Sequence, residues 1–201
     1  MDLGSPDYYI EQTDESLPQT KQLVEWIREL SPSKGVCDGV MPRPSKIHSE
    51  TFIDGTPYVY PILTPRFALA LTDELLGELR DYADSEPSLA IQTHISENRK
   101  EVADVEERFG CSYAEVYNRY HLLRDNTVLG HGVYLSKEEL DLIKEKNAGV
   151  AHCPTSNFNL TSGVAKIGDM LDRGIKVGST PRKVFLRPPL DSLVFTGRPR
   201  K

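Results

Sequence analysis

Cysteine is scarce in this sequence. Only Cys37, Cys111 and Cys153 occur among 201 residues, they cannot all pair, and no CxxC is formed. A disulfide-stapled design is not expected; each cysteine reads as a small buried apolar residue, and a reducing, cytoplasmic compartment fits best. Long hydrophobic runs are missing too, and none approaches the roughly 20 residues of a membrane span. The opening residues, MDLGSPDYYIEQTDES, have neither a basic n-region nor an apolar core, so no secretory signal is expected. Nor is there a basic stretch. With 24 Lys+Arg against 30 Asp+Glu the net charge is −6, which argues against a nucleic-acid partner. Internal repeats and low-complexity tracts are absent. What is present is 38% hydrophobic and 8% aromatic residues, the composition of a globular chain. A chain of this length suits one domain, burying about 70% of its unfolded surface.

From residue 58 onward, short apolar runs alternate with amphipathic stretches. Strands are expected at residues 58–63, 89–94, 127–131, 149–153 and from 175. Helices are expected at 13–31, 73–84, 97–109, 112–122, 136–147 and 164–173. Leu23, Trp26, Ile27 and Leu30 set the apolar spacing of the first helix, and Ser136 with Glu139 has the pattern of a capping box. Residues 32–57, rich in proline, glycine and serine, read as a loop or insertion. Strands alternating with helices predict an α/β fold with a parallel sheet, either a (β/α) barrel or an open doubly wound sheet. No GxGxxG follows a strand, which weakens the dinucleotide-binding version of the latter.

His94, His131 and His152 fall at the C-terminal ends of three of these strands, and Arg66 follows another. In a (β/α) barrel those ends converge on the face that holds the active site. A single histidine at a strand end is commonly structural; three in consecutive units, joined by an arginine, point to a shared polar cleft. Imidazole is the commonest metal ligand near neutral pH, so a metal is the leading expectation. Glu97, three residues after His94, can lean over the same cavity, where a carboxylate beside an attacking water shuttles protons. Alternatively it is a helix-start carboxylate interacting with the dipole.

The segments Thr64-Pro65-Arg66-Phe67, Gln92-Thr93-His94-Ile95-Ser96-Glu97-Asn98, Gly130-His131-Gly132 and Ala151-His152-Cys153-Pro154-Thr155-Ser156-Asn157 occur in that order. In order and spacing they resemble the guanine deaminases of the amidohydrolase superfamily, over about residues 1–178. The pairing of TPRF with HISEN is specific; the GHG and HCPxSN motifs are shared with related chlorohydrolases and aminohydrolases. The resemblance implies a metal-dependent-hydrolase (β/α)8 barrel that converts guanine to xanthine and ammonia with one zinc ion. It implies His94 as a zinc ligand that also borders the substrate, and Glu97 as the proton shuttle that contacts the purine. His131 would contact the attacking hydroxide, Arg66 the purine carbonyl or ring edge, and Phe67 the ring face. His152, Ser156 and Asn157 are expected to play structural parts or to support the residues that line the site. Zinc lowers the pKa of a bound water from about 15.7 to about 7, which makes hydroxide available at neutral pH. A homodimer is implied for complete enzymes. Zinc deaminases of polynucleotides carry HxE with PCxxC; here HxxE occurs without PCxxC.

This sequence departs from the family at both ends. No HxH pair is present to supply two further zinc ligands, and Val177-Gly178 is followed by Ser179-Thr180-Pro181-Arg182 instead of an LGTD-type segment. About five strand–helix units are expected, against eight in a barrel of about 250 residues. The sequence therefore predicts an incomplete barrel over residues 1–178, with a basic, irregular tail over 179–201. The expectation is a truncated, largely inactive form. Other readings are a sibling amidohydrolase acting on another heterocycle, or a non-catalytic piece that associates with a homologue. A Cys153–His hydrolase is disfavoured, because adjacent residues on a strand point to opposite faces.

Overall fold

The computed structural model describes residues 10–29, 52–53, 56–57 and 60–179. The helix α1 (Thr13–Glu29) comes first, followed by a short antiparallel pair, β1 (Phe52–Ile53) and β2 (Thr56–Pro57). Strands and helices then alternate: β3 (Ile62–Leu63), α2 (Asp73–Ser85), β4 (Ala90–Ile95), α3 (Arg99–Phe109), α4 (Tyr113–Arg119) and β5 (Thr127–His131). They continue with α5 (Lys137–Glu145), β6 (Gly149–His152), α6 (Pro154–Asn159), α7 (Ile167–Asp172) and β7 (Lys176–Ser179).

The five strands β3 to β7 form one parallel sheet in strict sequence order. A doubly wound sheet reverses its order at a switch point. Sequential order is that of a barrel wall, so the chain is α/β and forms part of a (β/α)8 barrel. Along β4, Ile91, Thr93 and Ile95 are fully buried while Gln92 and His94 are half-buried. This alternation follows from the two-residue period of a strand. Leu63, Ile91, Leu129, Val150 and Val177 carry the sheet's share of the apolar core, against helix residues such as Leu76, Leu79, Val105, Ile143 and Met170.

Helix ends follow from local chemistry. Thr72 caps α2 by accepting from the Leu75 N–H, and Asn98 caps α3 by accepting from the Glu101 N–H. The Ser136–Glu139 capping box forms as the sequence predicts. Glu139 also accepts from the Ala114 N–H at 3.0 Å, joining the starts of α4 and α5.

Several boundaries shift. Only Ile62 and Leu63 of the expected 58–63 strand pair with β4; Pro61, lacking an N–H, cannot donate to a ladder, and Tyr58 and Val59 lie outside the described residues. The buried face of α1 is Ser16, Leu17 and Val24, whereas Leu23 and Trp26 are exposed. The expected Leu23–Trp26 stripe is thus on the wrong side. Residues 32–57, expected as loop, contain the β1–β2 pair, and the rest of that segment lies outside the described residues. Ser179, assigned to the tail, closes β7 against His152; residues 180–201 lie outside the described residues.

One buried hydroxyl ties these layers together. Tyr117 Oη donates to the His94 carbonyl (2.7 Å), accepts from the Ala68 N–H (3.2 Å) and meets Thr93 Oγ1 at 3.0 Å. Burial pushes the pKa of this phenol, and that of neighbouring Tyr113, upward, so both stay protonated. Tyr117→Phe keeps the ring but strands a backbone donor and acceptor. A loss of about 2 kcal/mol in unfolding free energy is expected from urea denaturation; an unchanged midpoint would show the hydroxyl to be idle.

Candidate active site

The HISEN segment combines site residues with the backbone geometry that presents them. His94 lies one residue before the end of β4. Ser96 then takes a left-handed backbone (φ 48°), Glu97 follows, and Asn98 starts α3. The Ser96 carbonyl accepts from the Val133 and Tyr134 N–H groups, and the Ile95 carbonyl accepts from that of Gly132. The turn after β5 is therefore bonded onto the turn after β4.

His131 is the second left-handed non-glycine residue at this edge (φ 73°). In the β4–β5 register His94 lies opposite Gly130 and Ile95 opposite His131. Regular alternation would send the His131 side chain to the helix side, with Leu129 and Ile95. The left-handed backbone breaks that alternation, and the two imidazole rings come to 5.2 Å between centroids, tilted by 34°. Such a conformation costs about 1–3 kcal/mol and is typically kept where function uses it. Gly130 makes the approach possible: a Cβ there would sit 3.2 Å from Cδ2 of His94.

Arg66, Phe67, His94, Glu97 and His131 all line one cavity of about 680 Å³, with Glu101, Ser156 and Leu160. That volume is in the range of small-molecule sites. A second cleft, between α1 and α2, lies away from these strand ends and is lined by Asp14, Lys21, Glu78 and Asp81. The Arg66 carbonyl accepts from His94 Nδ1 (2.7 Å), from the His94 N–H (3.0 Å) and from Thr93 Oγ1 (3.3 Å). A carbonyl only accepts, so Nδ1 of His94 carries a hydrogen, and in the neutral ring Nε2 keeps its lone pair. This outer bond to a carbonyl is the kind that orients metal-binding histidines. The Arg66 guanidinium stands over the Phe67 ring, 5.3 Å from its centroid.

Glu97 Oε1 accepts from Ser162 Oγ (3.3 Å) and lies 3.6 Å from His131 Nδ1. His131 Nδ1 is 2.8 Å from Asn157 Oδ1. Glu101, on the same cavity, has its carboxyl pKa raised, chiefly by burial, with neighbouring Glu97 adding to the push.

The structure thus brings Arg66, Phe67, His94, Glu97 and His131 together. His152 is not on this cavity wall, against the expectation that all three strand-end histidines share one cleft; burial also holds its imidazole pKa below the ordinary value. Sequence reasoning missed Glu101, Ser162 and Tyr117. Ser162 lies in a turn with no motif to mark it, and Tyr117 looks like any apolar helix position.

A sequential parallel sheet with imidazoles, a carboxylate and a guanidinium at its C-terminal edge has the layout of a (β/α) barrel with its polar site at the strand ends. The chain belongs to the amidohydrolase family, whose model matches residues 6–181. It is 40% identical over 177 residues to a probable guanine deaminase of Schizosaccharomyces pombe, covering 87% of this chain and 29% of the relative. It is 36% identical over 180 residues to the guanine deaminase of Dictyostelium discoideum, covering 89% and 34%. Among solved structures, the guanine deaminase of C. acetobutylicum with guanine in its active site superposes with a TM-score of 0.71 at 33% identity, covering 89% and 37%. This chain therefore spans about a third of the length of these relatives.

The raised Glu101 pKa has a definite sign. Its contribution to stability is fully present below the ordinary carboxylate range and is lost as pH rises through the raised folded-state value. Glu101→Gln should remove that loss. Unfolding midpoints of the two proteins should therefore diverge as pH rises above the ordinary carboxylate range, with the variant relatively more stable at higher pH. Parallel curves would refute the assignment.

Proposed function

We propose that this chain carries the purine-facing part of a guanine deaminase, an enzyme that replaces the amino group of guanine with a carbonyl, giving xanthine and ammonia. The observation that carries the reading is the convergence of Arg66, His94, Glu97 and His131 on one cavity, in a chain similar to an enzyme solved with guanine bound. Arg66 offers a planar fork of donors to a purine carbonyl, and Phe67 a flat apolar wall for the ring. Hydrolytic deamination needs a proton removed from water, one given to the ring and one given to the leaving nitrogen. Glu97 serves that traffic, with His131 beside it.

His94, with Nδ1 engaged and Nε2 open, suits the part of one zinc ligand. A catalytic zinc takes about three protein ligands or more. Among the described residues, no three His, Cys, Asp or Glu side chains gather to hold a metal. On this reading the described residues supply only part of the ion's ligand set, and turnover needs ligands from elsewhere. Cys111 and Cys153 are both free, which is in keeping with the reducing compartment this reading expects. Among the described residues no helix is long and apolar enough to cross a membrane.

The purified chain, supplied with zinc and guanine, should release no ammonia above background; turnover near that of a complete guanine deaminase would overturn this reading of the metal site. Binding is separable from turnover. Amide spectra should shift on guanine addition around Arg66, Phe67 and His131, and Arg66→Ala should weaken binding at least about tenfold, the loss of a charged hydrogen bond. Equal binding of a purine lacking the carbonyl would favour a sibling hydrolase instead.

A further inference from the structure

Asn157 is the one fully buried residue of α6, at 1% exposure, and its side chain ends against His131. Both of its backbone groups are fixed: its N–H donates to the Cys153 carbonyl (3.0 Å) and its carbonyl accepts from the Ser162 N–H (2.8 Å). Its amide oxygen lies 2.8 Å from His131 Nδ1, while its amide nitrogen is buried without a partner. Glu97 Oε1 stands 3.6 Å from the same Nδ1, itself held by Ser162 Oγ. His131 Nδ1 thus has two oxygen acceptors near it. A bare ring nitrogen there would set its lone pair against the amide oxygen and near a carboxylate; an N–H donates to the Asn157 oxygen and turns a positive end toward Glu97. His131 Nε2 has no protein hydrogen-bond partner among the described residues, and His131 lines the cavity.

We propose that Asn157 is the positioning residue that fixes the ring hydrogen of His131 on Nδ1, so that the nitrogen offered to the cavity, Nε2, is a bare acceptor. The tautomer rests on geometry alone; its catalytic use, as acceptor of a hydrogen bond from the attacking water, rests on the deaminase reading. Asn157 touches no substrate and acts only through His131. Were the amide turned over, its nitrogen would donate to Nδ1 and force the ring hydrogen onto Nε2, presenting a donor to the cavity. The two arrangements predict opposite chemistry at the same atom.

Nitrogen-15 imidazole spectra of the full chain decide between them at about pH 8, where an ordinary imidazole is neutral. The chain has five histidines, so His131→Gln identifies the relevant signals by their disappearance. The expected result is a His131 pattern protonated at Nδ1 alone. Asn157→Leu, close in shape but without an acceptor, should lose that pattern, and Asn157→Asp, which keeps an acceptor oxygen, should restore it. Amide-spectrum dispersion reports whether each variant is folded. A wild-type ring carrying hydrogen on Nε2, alone or with Nδ1, overturns the proposal without any variant; so does a folded Asn157→Leu protein with an unchanged His131 pattern. Absence of guanine binding, by contrast, would sink the deaminase reading and leave the tautomer measurement standing.

Discussion

The pairing of β4 with β5 is the constraint on which the site depends. Parallel register places His94 beside Gly130 and Ile95 beside His131, which fixes two imidazoles at one edge of the sheet. A slip by one residue would send His94 into the helix layer and expose Ile95, since side chains alternate. The apolar cost of such a slip is large: Ile91, Thr93, Ile95 and Leu129 are all fully buried. The packing of the core thus secures the registration of the site, and the left-handed backbone at Ser96 and His131 departs from regular strand geometry where the cavity begins.

Behind the cavity wall lies a second layer of polar contacts. Tyr117 binds the backbone of His94 to that of Ala68, and so couples the strand carrying an imidazole to the turn carrying Arg66 and Phe67. Asn157 and Ser162 reach His131 and Glu97 from the far side of β5. The groups facing the cavity are therefore held by residues from several different elements. Few free rotations remain to be frozen when a ligand enters, which is the physical content of preorganisation.

How much of this was legible in the sequence depended on whether a residue's part was local. Strand β5, the capping box at Ser136 and the alternation that builds the sheet are written in short-range patterns and were read correctly. The barrel-like strand order was not; it left an open sheet as an alternative, because local patterning is the same in both. The buried side of α1 was misread since Leu23 and Trp26 have helical spacing but face away from the core, a choice made by tertiary packing. His94, Glu97 and Arg66 were found because motifs mark them. Ser162 could not be, because its link to Glu97 spans 65 residues and needs the chain to fold before it exists.

The two histidines share one mode of support. In each ring Nδ1 is engaged by an oxygen of the protein, the Arg66 carbonyl for His94 and the Asn157 amide for His131, and in each Nε2 is left over. These are internal bonds of the fold, set by a turn after β3 and a helix after β6, so each ring is oriented by protein groups distant in sequence. On the proposed reading, a zinc ion would meet a His94 nitrogen already aimed, rather than ordering a loose side chain. What these residues determine is thus the geometry of one side of the cavity, fixed by bonds that reach across the fold from β3 to α6.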